Sequence, residues 1–180
     1  MFRPLVSYLM KRSLKELERQ PSLVHGAHIR DVAIVAIYKH GESLMHVQQY
    51  LNEWRKRGMR SVDLYLYFPS KKQRSEFQAS EKDIAFTSSD FSIAGKAKAD
   101  HLVASLKKEY DVLIDLSRGN AFACDVVIAK IKAKWKVGES EERRTYLLDL
   151  MIDVKQDPDM RKLMHHMDHY INNLNTSNAA

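Results

Sequence analysis

The chain has 180 residues, enough for one domain with a sizeable core, and its 44% hydrophobic and 29% charged residues exclude a disordered or fibrous protein. A lone cysteine, Cys124, excludes an internal disulfide framework and any zinc site with two thiolates. The net charge of +6 is unevenly placed, because residues 1–74 carry 14 Lys and Arg against 6 Asp and Glu, whereas residues 75–180 carry 15 against 17.

The first segment, residues 1–20, has apolar residues at helical spacing and basic residues on its other face, and Pro21 ends it. Its narrow apolar stripe favours packing within the protein or against a second copy over a membrane surface. Arg3, Lys11 and Arg12 interrupt the apolar run, so the segment is a poor signal peptide. No stretch reaches the ~20 apolar residues that cross a bilayer, so we expect a cytoplasmic protein.

Apolar runs and segments of helical spacing alternate through the rest of the chain. The run at 32–38 (VAIVAIY) is continuous, which is typical of a strand buried on both faces. In chain order, the pattern predicts a strand at 32–38, a helix at 41–57, a strand at 61–68, a short helix at 71–79, a strand at 83–86, a helix at 96–108, a strand at 111–116, a helix at 121–133, strands at 135–138 and 147–154, and a helix at 158–174.

Strands separated by helical segments indicate right-handed crossovers and a mostly parallel sheet covered on both faces. We therefore predict a Rossmann-like α/β three-layer sandwich with five or six strands in the order 3-2-1-4-5-6. The short charged link between strands five and six leaves both orientations open for that pair. The predicted organisation is a basic amphipathic helix over 1–20, a single α/β domain over 21–174 and a frayed tail over 175–180.

Ligands of open α/β sheets bind outside the carboxyl ends of the strands, where loops and helix N-termini converge. This rule selects polar residues that follow strands one, four and six, without any motif. The candidate ligand-binding residues are His40, Asp115, Ser117, Arg118, Asn120 and Asp153.

The turn after strand four, residues 117–120, supplies backbone N–H groups and one guanidinium that can hold a phosphate or a carboxylate. It matches neither GxGxxG nor GxxxxGKS, so it carries no nucleotide fingerprint. The structural alternative is that Ser117 or Asn120 caps the next helix while Gly119 permits a tight turn.

The remaining candidates also have two interpretations each. His40 suits a general base, or it lies in an exposed loop beside Gly41. Asp115 and Asp153 each end an apolar strand, and two carboxylates at adjacent strand ends can bind a divalent metal or share acid–base work. The alternative is that both stabilise helix N-termini.

The last helix carries His165 and His169 at a spacing that zinc ligands use, but HHMDH lacks the glutamate of HExxH. The apolar residues of this helix leave the two histidines on the solvent side, so we predict a surface pair and no metal site. Cys124 lies on an apolar helix and is predicted to be a small buried hydrophobe.

The segments EYDVLIDLSRGNAFACDVVIAKIKAKWKVG, YLLDLMIDV and HYINNLN resemble an uncharacterised domain-of-unknown-function family of Bacteroidetes. The likeness covers most of the chain and implies a bacterial cytoplasmic protein without an established activity. A weaker similarity, through YDVLIDL and a strand ending in VG, is to the N-terminal domain of heptosyltransferase-type glycosyltransferases. Those enzymes bind the sugar nucleotide in a second domain, and we expect no such domain in a sequence of 180 residues.

Two functions of different class follow from the sequence. The favoured one is a non-enzymatic module that acts through contacts with a protein partner or a second copy of itself. The other is a binder or enzyme for a phosphorylated or sugar ligand at the carboxyl ends of the strands. The sequence leaves any cofactor unknown. The basic half also leaves nucleic-acid binding open, although no recognition motif accompanies it.

Overall fold

The computed structural model describes residues 20–24, 26–39, 42–77, 83–92, 94–119, 121–154 and 159–173. The elements, in chain order, are β1 Asp31–Ile37, α1 Glu42–Lys56, β2 Ser61–Tyr67, α2 Lys71–Glu76, β3 Asp83–Phe86, α3 Asp100–Ser105, β4 Glu109–Asp115, α4 Phe122–Lys130, β5 Lys132–Glu139, β6 Leu150–Ile152 and α5 Met160–Asn173. The predicted helix at 1–20 and the predicted tail lie almost wholly outside the described residues.

The six strands form one sheet in the order β3-β2-β1-β4-β5-β6, and every neighbouring pair is parallel. The predicted strand order and the α/β class are therefore confirmed. The orientation left open for the last pair is parallel, with Val137 opposite Leu150. A connection without an α-helix suffices here because β6 pairs with only the last three residues of β5, so the chain returns a short distance.

Two apolar cores lie on the two faces of the sheet. One core packs α1 and α5 against β1, β2, β4 and β5, and Trp54 is its largest buried side chain. The other core packs α3 and α4 against the opposite face. Helix α4 is apolar almost all round because it packs between the sheet and neighbouring segments, and Cys124 in it is fully buried as predicted.

Three element bounds differ clearly from the sequence prediction. Helix α3 is shorter than the predicted 96–108, because residues before it form a turn closed by a bridge between Phe91 and Ala97. Strand β5 is longer, since Lys132 and Lys134 alternate with buried residues at its start. Strand β6 is shorter, because Leu147 and Leu148 pack into the core of the second face before the strand begins.

Candidate functional site

The carboxyl edge of the sheet is the end at which the chain leaves β1, β4, β5 and β6. Strands β1 and β4 are neighbours there, and the amide of Leu116 donates to the carbonyl of Val35 at 2.8 Å. Because α1 and α4 leave these two strands toward opposite faces, this is the point where open α/β sheets bind ligands. His40 and Asn120 lie outside the described residues, so their predicted roles remain predictions.

Asp115, at the end of β4, is buried and fully engaged within the chain. One of its oxygens accepts hydrogen bonds from the backbone amide, at 2.8 Å, and the hydroxyl of Ser117. Its other oxygen lies 2.6 Å from Nη1 of Arg144. The hydroxyl of Ser117 is therefore bonded to Asp115 and does not cap α4, as one alternative had it. The N-cap residue of α4 is Ala121, whose side chain makes no capping hydrogen bond.

Arg144 is the centre of this arrangement, although it is 98% buried. Its Nε lies 2.9 Å from Asp125, and its guanidinium also donates to the carbonyls of Ser117 at 3.0 Å and Gly119 at 3.3 Å. Burial alone would lower the pKa of Arg144, but the nearby carboxylates, Asp115 foremost, raise it. The guanidinium is therefore a fixed buried cation with acceptors on several sides.

Arg143, which is more exposed than Arg144, also contacts carboxylates and a backbone carbonyl. It lies 2.6 Å from the second oxygen of Asp125 and 2.7 Å from Glu141, and it donates to the carbonyl of Gly119 at 2.8 Å. Burial raises the pKa of Asp125, and the two arginines offset part of that rise. Gly119 has a φ of 113°, which confirms the special turn expected at this glycine.

Arg118, the predicted phosphate-binding residue, forms a bidentate ion pair with Glu139 at 2.8 and 3.1 Å. In this geometry two parallel N–H groups of the guanidinium, on Nε and Nη2, donate to the two oxygens of one carboxylate. Arg118 therefore meets an anion of its own chain at the end of β5.

Asp153 lies apart from Asp115, which corrects the expectation that the two carboxylates end adjacent strands. Strand β5 lies between β4 and β6, and Asp115 is opposite Gly138, which in turn is opposite Met151. Asp153 is exposed, two residues beyond that row. The order of the strands thus separates the two carboxylates by two strand spacings, about 10 Å.

Two exposed aromatic side chains lie close in sequence to the residues that pair with these arginines or to the arginines themselves. Phe122 is 36% exposed and Tyr146 is 39% exposed. Phe122 lies about one helical turn before Asp125. Arg143, which pairs with Asp125, lies three residues before Tyr146. Partial burial raises the pKa of Tyr146, and the charge of Asp125 adds to the rise. We refer to Phe122, Arg143 and Tyr146 as the aromatic–arginine surface.

Candidate metal ligands are not brought together. His165 and His169 are exposed on α5, as predicted. Within the described residues, no group of three or more His, Cys, Asp or Glu side chains is arranged to hold a metal ion. Burial raises the pKa of the Cys124 thiol, so this cysteine is a weak nucleophile.

The residues that sequence reasoning missed are Arg143, Arg144 and Asp125. The available signal was that Asp125 is the one carboxylate in a helix of otherwise apolar or small residues, before its terminal lysine. A buried carboxylate requires a cation, and the Glu-Arg-Arg sequence of the following link supplies two.

Residues 5–174 match the sequence profile of a family of unknown function (DUF6913). The chain belongs to this family. The resemblance to a family without an established activity is thereby confirmed. A comparison with curated proteins finds no significant match.

A solved structure, that of the glycosyl transferase family 9 protein from Veillonella parvula, is similar to this chain with 13% sequence identity and a TM-score of 0.48. The similarity covers 78% of this chain and 41% of that one, so the chain spans less than half the length of its structural neighbour. No described helix has both the length and the apolar composition required to cross a membrane.

Proposed function

We propose that this member of the family is a non-enzymatic, cytoplasmic α/β module that acts by binding a second copy of itself through the aromatic–arginine surface. The proposal takes residues 21–174 as its single folded domain and residues 1–20 as an additional basic helix. The observation that carries it is the exposure of Phe122 and Tyr146, each three residues along the chain from a member of the Asp125–Arg143 pair, because aromatic residues and arginine are the types enriched at the centres of protein interfaces.

The polar side chains at the carboxyl edge are bonded to one another, which favours a role in protein binding over catalysis. Asp115 and Ser117 bond to each other, Asp115 also binds Arg144, and Arg118 binds Glu139. A small ligand at this edge would have to displace these internal partners, whereas a protein partner can use the surface above them.

Charge favours a second copy as the partner. The surface beside Tyr146 carries Arg143 and the exposed Glu142, so it presents both signs. A two-fold axis that passes between the two residues brings Glu142 of one copy to Arg143 of the other, which also pairs with Asp125 and Glu141 of its own chain. The internal ion pairs beneath hold the surface in one conformation, which lowers the entropy lost on binding.

Sedimentation velocity of the full chain, over a wide range of protein concentration, tests this proposal. We expect a concentration-dependent dimer whose dissociation constant rises by about tenfold or more in Tyr146→Ala, the size expected for a central interface residue. Tyr170→Ala is the matched control, because Tyr170 is 40% exposed on α5, and it should leave the dimer unchanged.

A monomer at every concentration, or an equal effect of the two substitutions, would refute the proposal. If the chain is monomeric and its melting temperature rises with inorganic phosphate, the competing small-ligand function at the carboxyl edge is favoured instead. Binding of DNA or RNA that falls steeply with salt would point to the basic half of the chain.

A further inference from the structure

A second surface, at the end of the sheet opposite the carboxyl edge, is rich in cations. Helices α1, α3 and α4 each lead from the carboxyl end of one strand toward the start of another, so all three end where β2, β4 and β5 begin. Five cations at this end of the sheet have no ion-pair partner among the described residues: Arg30, Arg55, Lys56, Lys107 and Lys130. We refer to these five residues as the basic edge.

The fold brings the basic edge together from both halves of the sequence. Arg30 immediately precedes β1, and Arg55 and Lys56 end α1, which leads into β2. Lys107 and Lys130 each lie two residues before a strand, β4 and β5 respectively. Because β2, β1, β4 and β5 are neighbours in that order, the five cations follow one row of strand starts.

Three further cations of this row lie over buried carboxylates. The pairs are Arg60 with Asp31, Lys108 with Asp63 and Lys134 with Asp111. The cationic side chains are between 54% and 76% exposed, whereas the carboxylates are between 6% and 11% exposed. The solvent therefore meets the cation of each pair. A fourth pair, Lys132 with Glu109, is exposed on both sides and adds no net charge.

Other carboxylates do not cancel the charge of the basic edge. Glu53, in the last turn of α1, lowers it from five charges to four. Asp83 starts β3 opposite the fourth residue of β2, and Asp149 accepts from the amide of Lys136, the fifth residue of β5, so both lie about 10 Å or more behind the strand starts. Each of the three helix C-termini adds at most about half a negative charge, which leaves about two positive charges or more.

The basic edge spans the thickness of the protein. Lys56 ends a helix on one face of the sheet and Lys130 ends a helix on the other, which puts them about 20 Å apart across three layers. The major groove of B-DNA is about 12 Å wide, so cations spread over this span can contact phosphates of both strands of a duplex.

The side chains at this end of the sheet favour a duplex over other polyanions. The exposed aromatic residues among those described, Phe122, Tyr146 and Tyr170, lie neither at a strand start nor at the end of α1, α3 or α4. A single strand is held by stacking on aromatic side chains, whereas a duplex backbone requires only cations. Leu23, beside β5, is exposed, but one leucine is smaller than a myristoyl chain, which alone gives only marginal membrane binding.

We propose that the basic edge binds the phosphate backbone of a nucleic-acid duplex without reading its sequence. The contact leaves the aromatic–arginine surface free, because that surface lies at the carboxyl edge. A dimer formed there presents two basic edges, one on each copy.

Fluorescence anisotropy of labelled duplex DNA and duplex RNA, titrated with the full chain, tests the proposal, and its two arms show which duplex is preferred. Five phosphate contacts predict a slope of log K against log salt of about −4.5, which is a loss of about 500-fold in affinity between about 50 and 200 mM salt. Arg30→Gln combined with Lys130→Gln should make the slope shallower by about 1.8, because two contacts are lost.

Lys71→Gln combined with Lys72→Gln is the matched control. It removes the same two charges from the exposed start of α2, at the carboxyl edge, and should leave the slope unchanged. Absence of duplex binding at low salt, equal slopes in the two double variants, or tighter binding of single strands or of phosphatidylserine vesicles than of duplexes would each overturn the proposal. Tyr146→Ala, which removes the proposed dimer contact, should still bind duplexes, so this inference and the proposed function can fail independently.

Discussion

Substitution of Arg144 by methionine tests whether the carboxyl edge depends on its buried cation. The change keeps a long apolar side chain but removes the guanidinium from Asp115 and Asp125. Asp125 retains Arg143 at 2.6 Å, whereas Asp115, whose side chain is 1% exposed, retains only the hydrogen bonds from Ser117. Asp115 thus becomes a buried carboxylate without a cation.

The expected loss is large for a single substitution. Removing one partner of a buried ion pair costs about 3 to 5 kcal/mol of the free energy of unfolding. For a domain of this size each kcal/mol lowers the melting temperature by about 2 to 4 °C, so Arg144→Met should melt about 6 to 20 °C lower. Urea unfolding followed by circular dichroism measures the free energy directly.

Two further variants isolate the cause. Lys72→Met removes an ammonium group that is 85% exposed and lies 4.0 Å from the exposed Glu76, and it should cost at most about 1 kcal/mol. Asp115→Asn combined with Arg144→Met should be more stable than Arg144→Met alone, because the amide carries no charge and can still accept from Ser117. If Arg144→Met costs no more than Lys72→Met, the reasoning is refuted.

Three other predictions concern packing, pH and chemical reactivity. Gly138→Ala should cost about 1 to 3 kcal/mol in urea unfolding, because its Cβ would lie 2.7 Å from a methyl group of Leu148; an unchanged midpoint would contradict this. Burial alone would raise the pKa of Asp111, but the hydrogen bond from Lys134 and two from backbone amides lower it. Asp111 therefore contributes stability above its unfolded pKa of about 3.9, lost as the pH falls through the lowered value. Asp111→Asn should flatten the acid limb of a stability–pH profile, and an unaltered limb would count against the assignment. Cys124 should react with a thiol reagent only in denaturant, and fast modification of the native chain would show that it is not buried.

The fold could be predicted from local patterns because continuous apolar runs can be buried only inside a covered parallel sheet. The run at 32–38 and the segment 111–116 identify two central strands, and the intervening helical segments determine the hand of their connections. Helix α3 is shorter than the prediction of 96–108. The first residues of that range belong instead to the turn that follows Gly95, which has a φ of 74°.

The candidate site was only partly predictable for a different reason. Ligands of open α/β sheets bind beyond the carboxyl ends of the strands, and this rule correctly selected Asp115, Ser117 and Arg118 as residues of the carboxyl edge. The rule does not predict which groups these side chains bind. Arg144 lies 29 residues from Asp115 and 19 from Asp125. No helix or strand periodicity in the sequence predicts a contact between residues so far apart. Such contacts depend on the link between β5 and β6 turning back over the edge.

The two outer strands of the sheet are short, and this affects how copies of the chain can meet. Strand β3 has four residues and β6 has three, whereas the four inner strands have seven or eight. A short outer strand offers few unpaired backbone groups to another chain, which protects a sheet against strand-by-strand polymerisation. Association of this chain is therefore expected to stop at a closed complex formed by side chains, instead of growing into fibres by backbone pairing.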